Sequence, residues 1–276
     1  MKPGLSMVIV AVAMAAGAAF AAVTLNVGYE FEVGDRQQSR VTATIDSVEM
    51  GKDVPLAVTG DAAVDVTLEV TRKDEQDVAT IRASFGEVEA TLMDEPQDAG
   101  TPTPADLLLD RRGALVGIAS GNATEMDLFA SGGIPLQLVV MLSGVVEMPD
   151  SPIGVGETWT IERCQEVPQV GEVAMTVTSQ ITEIGAESVV VLTDLEASLP
   201  EIKTASPMHD GDVTVKDGVL TIKGMKRTIN LSTGLIGSAE AKMRFDGFAA
   251  IGPFAPLPLG VTSSFRIAPA EARNDG

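Results

Sequence analysis

The chain is short of the residues on which most catalytic and metal centres depend. Its 276 residues include one cysteine, Cys164, one histidine, His209, one tryptophan, Trp159, and one tyrosine, Tyr29. A lone cysteine excludes an internal disulfide. One cysteine and one histidine cannot supply most of the three or four protein ligands of a zinc site. A serine triad would have only His209 as its base, and that residue stands in the polar, turn-like stretch from Pro207 to Asp212. Cys164 with His209 is the one cysteine–histidine pairing available, and any exported chain with one of each meets that test by chance. Aromatic residues make up 4% of the chain, few for stacking a sugar. No phosphate loop or dinucleotide glycine fingerprint occurs, and Gly117-Ile118-Ala119-Ser120-Gly121 lacks the spacing of a nucleophile elbow. No catalytic residue, metal or cofactor is expected.

Positive charge is scarce as well. Against 39 Asp and Glu stand 19 Lys and Arg, a net charge of −20. Such a surface repels nucleic acid and anionic membrane and favours solubility. Long apolar runs are missing beyond the N-terminus. Residues 136–146 form the longest, but Gln137, Ser143 and Gly144 interrupt it and it is too short to span a bilayer.

What is present begins with an export signal. Lys2 precedes an uncharged apolar run over residues 7–20, and Ala19-Phe20-Ala21 offers small residues at both positions a signal peptidase reads. Residues 1–21 are therefore expected to be a signal peptide, placing the mature protein in the periplasm or outside the cell. No cysteine adjoins the cleavage site, so a lipid anchor is not expected.

From Leu25 onward the pattern has period two. Val64, Val66, Leu68 and Val70 alternate with Asp65, Thr67, Glu69 and Thr71, and Val173, Met175 and Val177 alternate with Ala174, Thr176 and Thr178. Successive strand side chains point to opposite faces, so each stretch turns one apolar face inward. Asp217-Gly218 and Lys223-Gly224 look like hairpin turns, as do Arg112-Gly113 and Ser232-Thr233-Gly234. Residues 94–105, acidic and rich in proline, are expected to form an exposed loop, and residues 269–276 a frayed tail. Trp159 is expected to pack in a core with one partner for its N–H, and Cys164 to be buried like most cysteines outside disulfides. Lys223, Lys226 and Arg227 read as a solvated, aggregation-resistant hairpin edge.

Residues 125–150 break the alternation. Pro135 after Gly132-Gly133 suits the first turn of a helix, so residues 134–143 are expected to form a short buried helix; a buried strand is the alternative, because Val139 and Val140 are β-branched. Asp210-Gly211-Asp212 supplies two carboxylates, too few for calcium without further ligands, and a solvated turn is the simpler reading.

Two pairs of segments echo each other about 120 residues apart. Tyr29–Asp35 pairs with Ile153–Trp159, each carrying a Val-Gly-acid step; Leu107–Gly117 pairs with Thr228–Gly237, each reading strand, glycine turn, strand. The expected architecture is mainly β: large antiparallel sheet in two similar units, residues 25–124 and 151–268, half-barrel or sandwich-like, with the apolar connector between them. This order, from the opening Val33-Gly34-Asp35 to Pro152-Ile153-Gly154-Val155-Gly156-Glu157-Thr158-Trp159, resembles a group of exported bacterial two-repeat β proteins of unknown function. The resemblance implies export and a two-unit β architecture, and no chemistry.

An apolar sheet face must be covered by a second sheet, a helix, or closure around a cavity. The leading expectation is an envelope or extracellular binding protein for an apolar, lipid-like ligand, lined by Ile134, Leu136, Leu138, Val140 and Met141. A structural or protein-interaction module of the envelope is the alternative, and a hydrolase the third.

Overall fold

A computed structural model describes residues 24–25, 28–51, 54–98, 100–119, 145–167, 171–205, 212–251 and 255–270. In chain order the strands are β1 (Thr24–Leu25), β2 (Arg36–Met50), β3 (Val54–Leu56), β4 (Gly60–Lys73), β5 (Ala79–Phe85), β6 (Glu89–Leu92), β7 (Glu95–Asp98), β8 (Ala105–Leu109), β9 (Leu115–Ala119), β10 (Ile153–Gly154), β11 (Thr158–Val167), β12 (Gly171–Ile184), β13 (Ser188–Leu199), β14 (Ile202–Ala205), β15 (Asp212–Asn230), β16 (Ile236–Ile251) and β17 (Leu257–Pro269). No helix occurs among the described residues; the helix expected over 134–143 lies outside them, as does the proposed signal peptide.

Apart from the small β1–β10 pair, the strands form one antiparallel sheet of 15 strands, with the main path β11-β12-β13-β15-β16-β17-β2-β4-β5-β8-β9. The two expected units are thus two meanders joined edge to edge. The last strand of the chain, β17, pairs with β2 over Leu259↔Met50 to Pro269↔Ser39. Alternation explains which face is inward. Val64, Val66, Leu68 and Val70 of β4 are buried together with Val173 and Ile181 of β12 and Val189, Val191 and Leu195 of β13, all in one core. Residues from both ends of the sheet share that core, so the sheet rolls over on its apolar face. Each aliphatic side chain buried this fully contributes about 1.5–3 kcal/mol.

β15 corrects the turn prediction. Asp217-Gly218 and Lys223-Gly224 are β-bulges inside one 19-residue strand. The register with β16 slips by one residue between Lys216 and Val219 and again between Lys223 and Lys226. Asp217 and Gly224 have φ of 50° and 61°, which a bulge accepts as readily as a hairpin turn. Each extra residue inverts the alternation, so the buried positions run Val213 and Val215, then Leu220 and Ile222, then Met225, Arg227 and Ile229. β16, which carries an extra residue of its own at Gly237, and most of β13 lie alongside and keep the strand in the sheet.

The two remaining turns are as expected and match in chemistry. At β8–β9, Asp110 Oδ1 accepts from the N–H groups of Arg112 and Ala114. At β15–β16, Asn230 Oδ1 accepts from Ser232 N–H. Their glycines, Gly113 (φ 79°) and Gly234 (φ 71°), both press on the ring of Tyr29: a Cβ at either would lie within 2.7 Å of it. Tyr29 stacks on Phe31, with ring centroids 5.3 Å apart. The turns from the two halves therefore meet over one aromatic pair at the end of the roll.

Three smaller expectations fail. Residues 94–105 are not all loop, because β6 and β7 form a hairpin through Met93 and Asp94. Pro269 still belongs to β17 rather than a tail. Cys164 is exposed, because β11 is an outer strand of the path and the residue faces away from the core.

Candidate binding site

The rolled sheet does not close. β9 and β11 share no ladder among the described residues, although the edges lie close enough for Arg163 Nη1 of β11 to donate to the carbonyl of Leu115 in β9, 2.8 Å away. Between these edges and the inner face lies a cavity of about 100 Å³. Leu107, Leu109 and Leu115 form one wall, and Ile161, Met175, Val177, Leu195 and Met225 the other.

Residues 145–148 run along its rim and are held on several sides. Tyr29 Oη donates to the carbonyl of Val146 at 2.8 Å. Trp159 Nε1 donates to the carbonyl of Glu147 at 2.9 Å, the single partner expected for that indole. Met148 N–H donates to Arg112 O. The Glu147 carboxylate receives Arg163 Nη2 at 2.5 Å. Val145 lines the cavity.

A line of buried polar groups crosses the aliphatic second wall. Ser179 and Thr193 share a hydrogen bond of 3.0 Å, and Arg227 Nη2 donates to Thr193 Oγ1 at 2.5 Å. All three residues are at most 4% exposed. This corrects the reading of Arg227 as part of a solvated basic edge: the bulge at Gly224 brings it to the face of Met225 and Ile229, while Lys223 and Lys226 stay outside. Loss of solvent around the guanidinium lowers its pKa to about 10, partly offset by Tyr29, so it remains cationic at neutral pH. Burial raises the pKa of Tyr29, opposed by the charge of Arg227, so its hydroxyl stays protonated.

The expected lining residues Ile134, Leu136, Leu138, Val140 and Met141 lie outside the described residues, as do His209 and Asp210. The arginines of the cavity went unread, yet a signal for them exists. Arg163 shares the alternation of Trp159 and Ile161, and Arg227 that of Met225 and Ile229. An arginine on an apolar strand face is the mark to look for. Among the described residues no group of three or more His, Cys, Asp or Glu could hold a metal, and no helix is long and apolar enough to cross a membrane. Together these groups can hold an apolar fragment and donate hydrogen bonds to an acceptor on it; among the described residues the cavity lining contains no Ser–His or Cys–His pair.

No protein-family model matches the chain, and no curated protein does. Among solved structures it is similar to one of lipovitellin concerned with lipid–protein interactions, at 11% identity and a TM-score of 0.45; the match covers 90% of this chain and 27% of that one. The chain thus spans about a quarter of the lipovitellin chain. It is also similar to DynF from the dynemicin biosynthesis pathway of Micromonospora chersina (7% identity, TM-score 0.26, 100% and 94% covered). A third is OccK5 (OpdH) of Pseudomonas aeruginosa (6% identity, TM-score 0.24, 86% and 99% covered). At these TM-scores the likenesses carry no argument about function.

Proposed function

We propose that this chain is an exported, non-enzymatic binding protein that holds the apolar part of a small molecule inside its rolled sheet. The observation that carries this reading is the cavity itself: aliphatic on both walls and bordered by sheet edges that share no ladder among the described residues. Export is supported by the charged, apolar and Ala-x-Ala pattern of residues 1–21. At about 100 Å³ the space is somewhat smaller than the ~150 Å³ engineered cavity that admits benzene. It therefore suits a short aliphatic group, or the end of a longer one that continues outside. Native mass spectrometry of the purified protein, with organic extraction of what travels with it and titration with the neutral dye Nile red, tests the reading. A stoichiometric apolar molecule, or saturable dye binding displaced by short aliphatic compounds, is expected. An empty protein that takes up neither would overturn it.

One observation favours a second reading, an envelope interaction module. Among the described residues, β11 runs for 10 residues with a strand partner on one side only, and such an edge can accept a strand from another protein. That reading expects no ligand in the extract.

A further inference from the structure

We propose that the molecule held in the rolled sheet bears a carboxylate, and that Arg227 and Arg163 bind that carboxylate from within the cavity. The proposal rests on the binding-protein reading above and adds the chemical class of the ligand.

Three features of the site lead to it. The first is where Arg227 stands. It occupies an inward position of β15 that the neighbouring pattern fills with Met225 and Ile229, and an aliphatic residue there would avoid the desolvation of a guanidinium. An arginine on an aliphatic cavity wall can turn part of its fork to an oppositely charged visitor while keeping its partners in the chain. The second is how Arg227 is held. Its Nη2 is fixed on Thr193, itself fixed on Ser179, so the planar fork is oriented before anything binds. A guanidinium has five N–H donors and can share itself between Thr193 and an incoming oxyanion. The third is Arg163. Its Nη1 is taken by the Leu115 carbonyl and its Nη2 by Glu147, whereas its Nε is buried with no hydrogen-bond partner among the described residues. A buried donor of this kind calls for an acceptor.

Size and charge narrow the anion. A planar carboxylate matches the guanidinium fork and leaves room in about 100 Å³ for a few carbons. A phosphate monoester is bulkier and, near −2, would meet the Glu147 carboxylate at the same cavity.

The test compares chain-matched probes by calorimetry on the purified protein: butanoate, hexanoate and octanoate against 1-butanol, 1-hexanol and 1-octanol. At least one carboxylate is expected to bind about tenfold or more tighter than its alcohol. In Arg227→Met the affinities of acid and alcohol should fall within about twofold of each other. Equal binding of acid and alcohol by the unaltered protein would overturn the carboxylate proposal and leave the apolar-binding reading standing. Binding of neither, with no uptake of Nile red, would overturn both. Full carboxylate preference surviving in Arg227→Met would overturn the role given to that arginine. The comparison in the unaltered protein stands whether or not the variant folds.

Discussion

The two walls of the cavity come from the two halves of the chain, and they differ in chemistry. The β8–β9 wall is leucine: Leu107, Leu109 and Leu115. The β11–β15 wall has an aliphatic ground of the same kind, crossed by Ser179, Thr193 and Arg227 and edged by Arg163. Among the described residues, the first meander supplies apolar shape and the carbonyl of Leu115, and the second supplies shape and the buried side-chain donors that line the cavity. The difference has a backbone origin. For Arg227 it is the bulge at Gly224 of β15, which turns this arginine onto the core face while the strand keeps its place in the sheet; Arg163 reaches the inner face by the plain alternation of β11.

Deleting Gly224 should break this contrast most severely. Without the extra residue, Met225, Arg227 and Ile229 either turn outward or drag β15 out of register with β13 and β16. Loss of cooperative urea unfolding, followed by Trp159 fluorescence, is the expected outcome. Leu109→Ala, on the leucine wall, should cost about 3 kcal/mol by leaving a larger hole while keeping the preference for carboxylates; chemical denaturation and calorimetry would check both. Thr193→Val keeps volume but leaves Ser179 and one Arg227 donor without their shared oxygen. A loss of about 1–2 kcal/mol is expected, together with a weaker carboxylate preference.

Tyr29, wedged between the turns of the two halves, should give the smallest effect. Tyr29→Phe loses the bond to Val146, about 1 kcal/mol at neutral pH. The unfolded chain releases the tyrosine proton near pH 10, whereas the folded protein, with its raised pKa, keeps it. The contribution of Tyr29 to stability therefore falls with rising pH above 10 in the unaltered protein, by about 1 kcal/mol from pH 10 to 11. Arg227 acts in the opposite sense. Its lowered pKa means that stability rises with pH from about 10 toward the unfolded value, and it does so in both proteins. Urea denaturation at pH 8 and pH 11 should show the gap between the unaltered protein and Tyr29→Phe closing at the higher pH.

Much of the fold was legible because alternation is a local property. Val64 to Val70 and Val173 to Val177 announce both the strand and its buried face, and the Asp110 and Asn230 turns announce themselves through short polar side chains beside glycine. Asp217-Gly218 and Lys223-Gly224 misled because positive φ marks a turn and a bulge alike. The deciding clue was the parity of the apolar residues around them, which changes at each bulge as no pair of hairpins requires. The site was less legible. The lining residues expected between Ile134 and Met141 lie outside the described residues, Val145 was not among them although it lines the cavity, and composition alone left Arg227 among the surface lysines.

The sequence by itself determined that this protein is β, where most of its long strands lie and which side chains they turn inward, since each depends on neighbours two residues away. Only the tertiary structure decided that β17 pairs with β2 to make one sheet of two meanders, that the sheet rolls until β9 and β11 approach, and that two arginines end beside a cavity. Those outcomes depend on twist and register accumulated over many strands, and on residues such as Arg163 and Leu115 that meet across 48 positions of chain. No local pattern records that distance.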